Sequence, residues 1–314
     1  MAVLVKKITY KGWRNCVQIS NSQADLIVTA DVGPRVIRFG FKGGVNEFKE
    51  YEQMVGKKGG KKWLIYGGHR LWHAPEQMPR TYFPDNQPVK VEKHKGFVRF
   101  IQPVETTTGI QKEIDITLAP SQAKVKVLHR LRNLGPWAVE LAPWALTVMA
   151  HGGRIIIPLP PRGPHTDPRN LLPCNIISMW SYTDMQDPRW TWGSRYLMLR
   201  QDPGRHEPQK IGVLVRDGWT AYANHGNLFV KKFTYRPGAS YPDYGCSVET
   251  FTNDEMLEVE TCAPYVKLEP GAAVEHTEHW SLFKNVPMPR NDADVDRDVL
   301  PVIKKERAVA SSKE

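Results

Sequence analysis

The sequence has few cysteines, no long apolar run and no helical repeat. Its four cysteines, Cys16, Cys174, Cys246 and Cys262, are scattered through 314 residues with no C-x-x-C pair and no metal-ligand spacing. In a chain far larger than the mini-domains that depend on disulfides, they read as reduced thiols. The N-terminus, MAVLVKKITYKGW, lacks the apolar stretch of roughly 7–15 residues that a secretory signal needs. No uncharged apolar run approaches the ~18 residues of a membrane span. A cytoplasmic protein that does not enter the membrane is expected. No strand-helix-strand pattern is present, and no polar, low-hydrophobicity hinge divides the chain. One domain over residues 1–290 is therefore expected, followed by a charged tail, 291–314, able to form a short helix and fraying into disorder.

What the sequence has is punctuation and aromatics. The 25 prolines and 24 glycines suit many short strands joined by turns, and the 10 Trp, 11 Tyr and 10 Phe supply a packed core. Between residues 6 and 50 the pattern is strand, turn, strand, with Ile37, Phe39 and Phe41 alternating against Arg38, Gly40 and Lys42. From 89 to 159 a further series follows (VKVEKH, FVRFIQPVE, QKEIDITLA, KVKVLHRLRN, WAVELAPWALTVMA, RIIIPL), and from 196 to 283 a second one. This predicts an all-β, antiparallel fold with few short helices. Residues 51–88, dense in Pro, Gly and polar side chains, read as a long loop; such segments inside compact domains are often functional.

The formal charge of +10 raises the question of nucleic acid, whose phosphates are neutralised by Lys and Arg. The densest basic cluster, Lys57, Lys58, Lys61 and Lys62, lies in a Gly-rich loop, and other basic residues sit beside acidic ones. A solvated surface is the favoured reading, with no nucleic acid bound and an anionic small substrate or polymer as the functional alternative.

The tracts GGHRLWHAPE (67–76), RTYFPDNQPV (80–89), LAPWALTVMAHGG (141–153), FVKKFTYRPGASYPDYG (229–245) and the C-terminal run 248–283 resemble an uncharacterised bacterial group of galactose mutarotase-like proteins, the DUF4380 family. The resemblance implies a β-supersandwich, the architecture that aldose 1-epimerases also adopt. In those enzymes a strand bearing a catalytic Glu precedes a Leu-x-Pro-Gly turn and a last strand ending in an aromatic. Here Glu249, Leu268-Glu269-Pro270-Gly271 and Trp280 to Phe283 are similar. The shorter interval of hexose-phosphate epimerases places the Glu at Glu258 or Glu260, so two registers stay open. The tract LTVMAHGG resembles the surroundings of the epimerases' catalytic acid and carries that role onto His151, although the usual Asn-His-Ser/Thr-Tyr neighbours are absent.

Exchanging sugar anomers needs a proton donor at the ring oxygen and a base at the anomeric hydroxyl, and requires no metal or cofactor. A His and a Glu suit it, with ordinary pKa values of about 6.5 and 4.3. The expected catalytic set is His151, Glu249, Glu260 and His69. Glu258 and Glu260 share one strand parity, opposite Leu257, Val259 and Thr261. Glu249 shares a face with Phe251. Arg70, Trp72, Asp85 and Asn86 are expected to stack on the ring or hold its hydroxyls, with Glu76, Arg80, Tyr82 and Glu258 beside them. Lys232 and Tyr235 are read as sugar contacts or strand-face residues, and Asp243 as a contact or a turn-former. His69, His73 and Glu76 have the spacing of metal ligands on a helix, but the intervening Arg70, Trp72 and Pro75 disfavour a helix, so a pocket role is preferred and no metal is assigned. Three functions fit these residues: an epimerase acting on an aldose or sugar phosphate, a carbohydrate-binding module or sensor without catalysis, and a lyase or hydrolase acting on a uronate-containing saccharide.

Overall fold

The computed structural model describes residues 2–305, so the disorder expected at the end of the tail lies outside the described residues. Almost all of the regular structure is antiparallel β. The first sheet runs in the order Leu4–Tyr10, Trp13–Ser20, Ala24–Val28, Val36–Phe41, Gly68–Ala74, Val139–Met149, Leu257–Cys262, Val248–Thr252, Gln209–Val213 and Ile177–Met179, with Val266–Leu268 beside Val139–Met149. The second runs Trp190–Trp192, Tyr196–Arg200, Arg154–Pro158, Trp219–Asn224, Asn227–Phe233, Ala273–Lys284, Lys124–Asn133, Ile110–Leu118, Val98–Ile101 and Lys90–Lys93. Each sheet takes strands from both halves of the chain.

The two sheets pack face to face through alternate residues, as the period-2 pattern requires. Phe39, Phe48, Phe229 and Trp280, all buried, meet at the centre, with Phe48 and Phe229 at 5.5 Å between ring centroids and Phe39 and Trp280 at 5.9 Å. Truncating one of these rings to Ala removes about 3–5 kcal/mol.

One expectation is overturned. Residues 51–88 are not a continuous loop: Gly68–Ala74 is a strand, buried at every position. It pairs with Val139–Met149 along its length and with Val36 on its other side. A strand covered on both faces need not alternate in polarity, and here the polar residues His69, Arg70 and His73 find buried partners, so composition alone suggested a loop.

The chain beyond residue 290 also has structure. Asn291 caps a helical segment, Asp292–Asp294, Val295–Val299 and Leu300–Lys305. Val295, Val299 and Ile303 are buried against Ile156, Trp219 and Val230 of the second sheet. Lys232 Nζ donates to the Ile303 carbonyl at 3.0 Å. No helix is long and apolar enough to cross a membrane among the described residues.

Candidate functional site

Five neighbouring strands of the first sheet build the site on the face turned away from the second sheet. Their registers fix who meets whom. Trp144 lies opposite Trp72 and Cys262, and Leu146 opposite Arg70 and Glu260. Glu249 lies opposite Glu260, Phe251 opposite Glu258, and Lys210 opposite Phe251. The two registers left open for the catalytic Glu therefore converge on one cross-strand pair. Glu258 and Glu260 do share a face, while Val259 and Leu257 point into the core between the sheets.

Loops close this face into a cavity of about 230 Å³. Its walls are aromatic: Trp72 packs against Trp144 at 5.4 Å, Trp63 at 5.3 Å and Tyr82 at 5.0 Å between centroids, and Tyr182 completes the rim. Two cations stand among them. Arg70 lies over Trp72 at 4.4 Å and Trp63 at 5.4 Å, and pairs with Glu258 at 3.1 Å. Lys210 Nζ lies 4.7 Å from the Trp144 ring and 4.5 Å from that of Trp180. It faces Glu249 at 3.1 Å, Glu76 at 3.7 Å and Glu260 at 4.0 Å. Arg70, Glu76, Lys210 and Glu258 line the cavity, whereas Glu249 and Glu260 stand fully buried behind Lys210.

Burial works against the Lys210 charge, but Glu260, Glu249 and Glu76 outweigh it and hold the ammonium above its ordinary range. Burial pushes the paired carboxyls up against the pull of Lys210; Glu260 reaches about 7, and Glu249 rises further under the charge and hydrogen bond of Asp243. One ammonium between two buried carboxyls neutralises one of them, so near neutral pH the pair retains a proton. The Trp144 indole donates to Glu260 Oε2 at 2.7 Å, while Glu260 Oε1, Arg70 Nε and Trp63 Nε1 are buried without a hydrogen-bond partner. Buried polar atoms without partners are rare in proteins; Arg70 and Trp63 line the cavity, and Glu260 stands behind it.

The histidines lie elsewhere. His69 and His73 are one strand position away from Arg70 and Trp72 and so face the second sheet. His69 Nε2 meets His129 Nε2 at 2.7 Å, and one ring nitrogen of each histidine lies within 4.8 Å of a Glu278 carboxylate oxygen. The trio fits a proton better than a metal ion, because two nitrogens on a tetrahedral metal stand roughly 3.3 Å apart at ordinary bond lengths. The proton positions follow from the partners: His129 Nδ1 gives its hydrogen to the His276 carbonyl, leaving Nε2 to accept from His69, whose Nδ1 accepts from Thr147. Glu278 accepts from Lys231 at 2.9 Å, Thr261 at 2.6 Å and Trp280 at 2.7 Å. Burial holds His69 well below its ordinary pKa and lowers that of His129 too, so both rings are neutral.

His73 pairs with Glu105, itself held by Lys112 at 2.6 Å. His151 is exposed just past Met149, with its ring against Lys49, and it does not line the cavity. Partial burial and Lys49 keep it below its ordinary pKa. Of the other expected contacts, Glu76 and Tyr82 hydrogen-bond each other at the rim, and Asp243 backs Glu249. Arg80 donates to the Pro75 carbonyl. Asp85 pairs with the buried Arg35 at 2.9 Å and Asn86 bonds Tyr66 and the Lys62 carbonyl, so both order the loops. Tyr235 stacks on Tyr241.

Sequence reasoning missed Lys210, Trp63, Trp144, Trp180 and Tyr182. The signal for Trp144 was present, since it shares parity with Leu146 and Val148 in a strand flanked by Trp72 and the two glutamates. For Lys210 the only sign was a lysine within the otherwise uncharged run QKIGVLV.

The fold is that of galactose mutarotase-like proteins. Among solved structures, a galactose mutarotase-like protein from Lactobacillus casei superposes with a TM-score of 0.57 at 10% identity, over 86% of this chain and 100% of the other. Another from Clostridium acetobutylicum gives 0.55 at 10% identity, over 90% and 99%. A TPR-domain-containing protein from Parabacteroides distasonis gives 0.57 at 13% identity over 95% of this chain. The chain spans half the length of that last protein. No protein-family model matches the sequence, and no curated protein does either.

Proposed function

We propose that the cavity binds one sugar ring and that the protein is an aldose epimerase of the bacterial group it resembles, acting in the cytoplasm. The observation that carries this reading is that Lys210, backed by the proton-retaining Glu249–Glu260 pair, and Glu258, two strands along the same sheet face, both line one tryptophan-walled cavity. The cavity, at about 230 Å³, is below the roughly 300–1,000 Å³ of pockets for drug-sized ligands and suits a monosaccharide. Trp72 and Trp144 offer the apolar face of the ring a surface to stack on. Arg70 Nε and Trp63 Nε1 offer hydroxyls their unused hydrogens.

In this scheme Lys210 gives a proton to the ring oxygen and takes one from the carboxyl pair behind it, which retains a proton near neutral pH. Glu258 takes the proton of the anomeric hydroxyl. Glu258, one of the positions left open for the Glu, so serves as base, and Lys210 stands in the role the sequence assigned to His151. Exchange NMR of α-glucose, α-galactose and their 6-phosphates tests it: acceleration over buffer is expected, at least for a neutral aldose. Glu258→Gln and Lys210→Met should each cut it by about 10²-fold or more. No acceleration with any of the four sugars refutes the epimerase.

A binding role without catalysis is favoured by one feature, that Glu258 is already neutralised by Arg70 at 3.1 Å. A binder keeps its affinity in Glu258→Gln and shows no turnover to lose.

A further inference from the structure

The positive charge of the chain is concentrated in one part. Residues 1–95 contain 17 Lys and Arg against 8 Asp and Glu, accounting for nine of the ten net charges. Twelve of these cations are exposed, eleven of them lysines, and they fall on three segments: the first hairpin (Lys6, Lys7, Lys11, Arg14), the loop Lys57–Lys62, and the edge strand Lys90–Lys93 with Lys95, Lys42 being the twelfth.

The fold brings these segments together. The hairpin turn at Gly12 abuts Gly56, and Trp13 Nε1 donates to the Lys57 carbonyl at 2.9 Å. Asn15 and Lys58 share Asp31, the former at 2.7 Å and the latter at 3.9 Å. A groove of about 500 Å³ runs where the edges of the two sheets approach, with Lys7 and Asn15 on one side and Lys93 on the other. Its floor is aliphatic: Val17, Ala30, Pro88, Val89 and Val91. The carboxylates nearby are already engaged, Asp31 by Asn15 and Lys58, Glu50 by Lys11, and Glu92 by Lys90 and His94.

Two loops join this groove to the sugar cavity. One runs from Lys57 and Lys58, which flank the first hairpin through Trp13 and Asp31, to Trp63 and Ile65 at the cavity, and the other from Val89 and Pro88 at the groove back to Tyr82. The Asn86 side chain ties them by donating to the Lys62 carbonyl at 2.6 Å.

We infer that this basic groove is the docking surface for a carboxylated polysaccharide, a polyuronate whose chain lies along the lysine rims while one end reaches toward the cavity. The choice of a saccharide rests on the sugar reading of the cavity; the groove's charge and shape do not. Isolated lysine charges on flexible stems suit evenly spaced single carboxylates, whereas bidentate recognition of phosphates favours Arg. The groove also lacks the aromatic platforms on which single-stranded nucleic acids stack their bases.

Binding of fluorescent polygalacturonate to the full chain, followed by anisotropy at increasing salt, tests the inference. Neutral dextran, single-stranded DNA and phosphatidylserine vesicles serve as comparisons. Polygalacturonate should bind more tightly than all three and weaken as salt rises. Lys7→Glu with Lys93→Glu should reduce its affinity at least about tenfold through reversed charge. A second variant, Lys57→Glu with Lys58→Glu, should do the same, and all four side chains are exposed, so the fold is retained. DNA or vesicles binding as tightly, or binding unchanged in both variants, overturns the inference. The two readings fail separately: polymer binding without anomer exchange refutes only the epimerase, and exchange without polymer binding refutes only the groove.

Discussion

Lys231→Met isolates the charge buried between the sheets. Lys231 and Glu278 are both fully buried and lie 2.9 Å apart, and Lys231 also donates to the Val259 carbonyl at 3.0 Å. Burial lowers the Lys231 pKa against the pull of Glu278, and Lys231, outweighing burial, holds the Glu278 carboxylate far below its ordinary range. Removing one partner of such a pair strands the other and costs about 3–5 kcal/mol. With an unfolding entropy near 0.6 kcal/mol/K for a chain of this size, that is a fall in Tm of roughly 5–8 °C. The loss should depend on pH. Lys231 opposes protonation of His69, His129 and His276, so without it these pKa values rise in the folded state. A folded-state histidine pKa that rises adds stability as pH falls, so the deficit relative to the parent shrinks between pH 8 and pH 5.5. Urea denaturation followed by circular dichroism at both pH values measures this. Lys231→Met combined with Glu278→Gln should recover more than half of the loss at pH 8. A deficit under about 1 kcal/mol, the size expected of an exposed pair, refutes the reasoning. So does a double variant that is less stable than the single one.

Trp144→Phe removes the indole hydrogen that stabilises ionised Glu260. A hydrogen bond worth about 0.5–1.5 kcal/mol corresponds to roughly 0.4–1.1 pH units, so the limb of the pH–rate profile set by the carboxyl pair should move up by that amount; a downward shift counts against the assignment. Ile303→Ala tests whether the C-terminal helix belongs to the fold. Ile303 is 4% exposed in a cluster with Trp219 and Val299, and its truncation should cost about 2–5 kcal/mol by urea denaturation, against no change if residues beyond 290 hang free.

The strands were legible in the sequence wherever one face alternated with the other. Leu257–Cys262 gave its parity at once, and with it the shared face of Glu258 and Glu260. Gly68–Ala74 was illegible because both of its faces are covered and three of its residues are polar. Polarity there marks engagement with the His129 network, Glu105 and Glu258, and a sequence does not say whether a histidine meets solvent or a partner 60 residues away. For the same reason His69 and His73 were grouped with Trp72 in one site, although strand alternation turns them to the opposite face. Lys210 reaches Glu249 from the neighbouring strand and Glu260 from the one beyond. Nothing local predicts that pairing, because it depends on which strand follows which across the sheet.

That topology also pins the register of the site. Leu257–Cys262 is buried at every position, with Glu258 and Glu260 in the cavity network on one face and Thr261 in the Glu278 network on the other. A one-residue slip would exchange the faces. It would carry Glu260 away from Lys210 and Trp144 and into the aliphatic core around Val248 and Val213, where an unpaired carboxylate costs several kcal/mol. Hydrophobic patterning alone would charge less for that error, since Val259 and Leu257 would still be buried on the other side. The two polar networks thus fix the strand from both faces. Lys210 and Glu258 inherit their relative positions from the register and not from flexible loops, as the proposed proton transfer to and from one sugar ring would require.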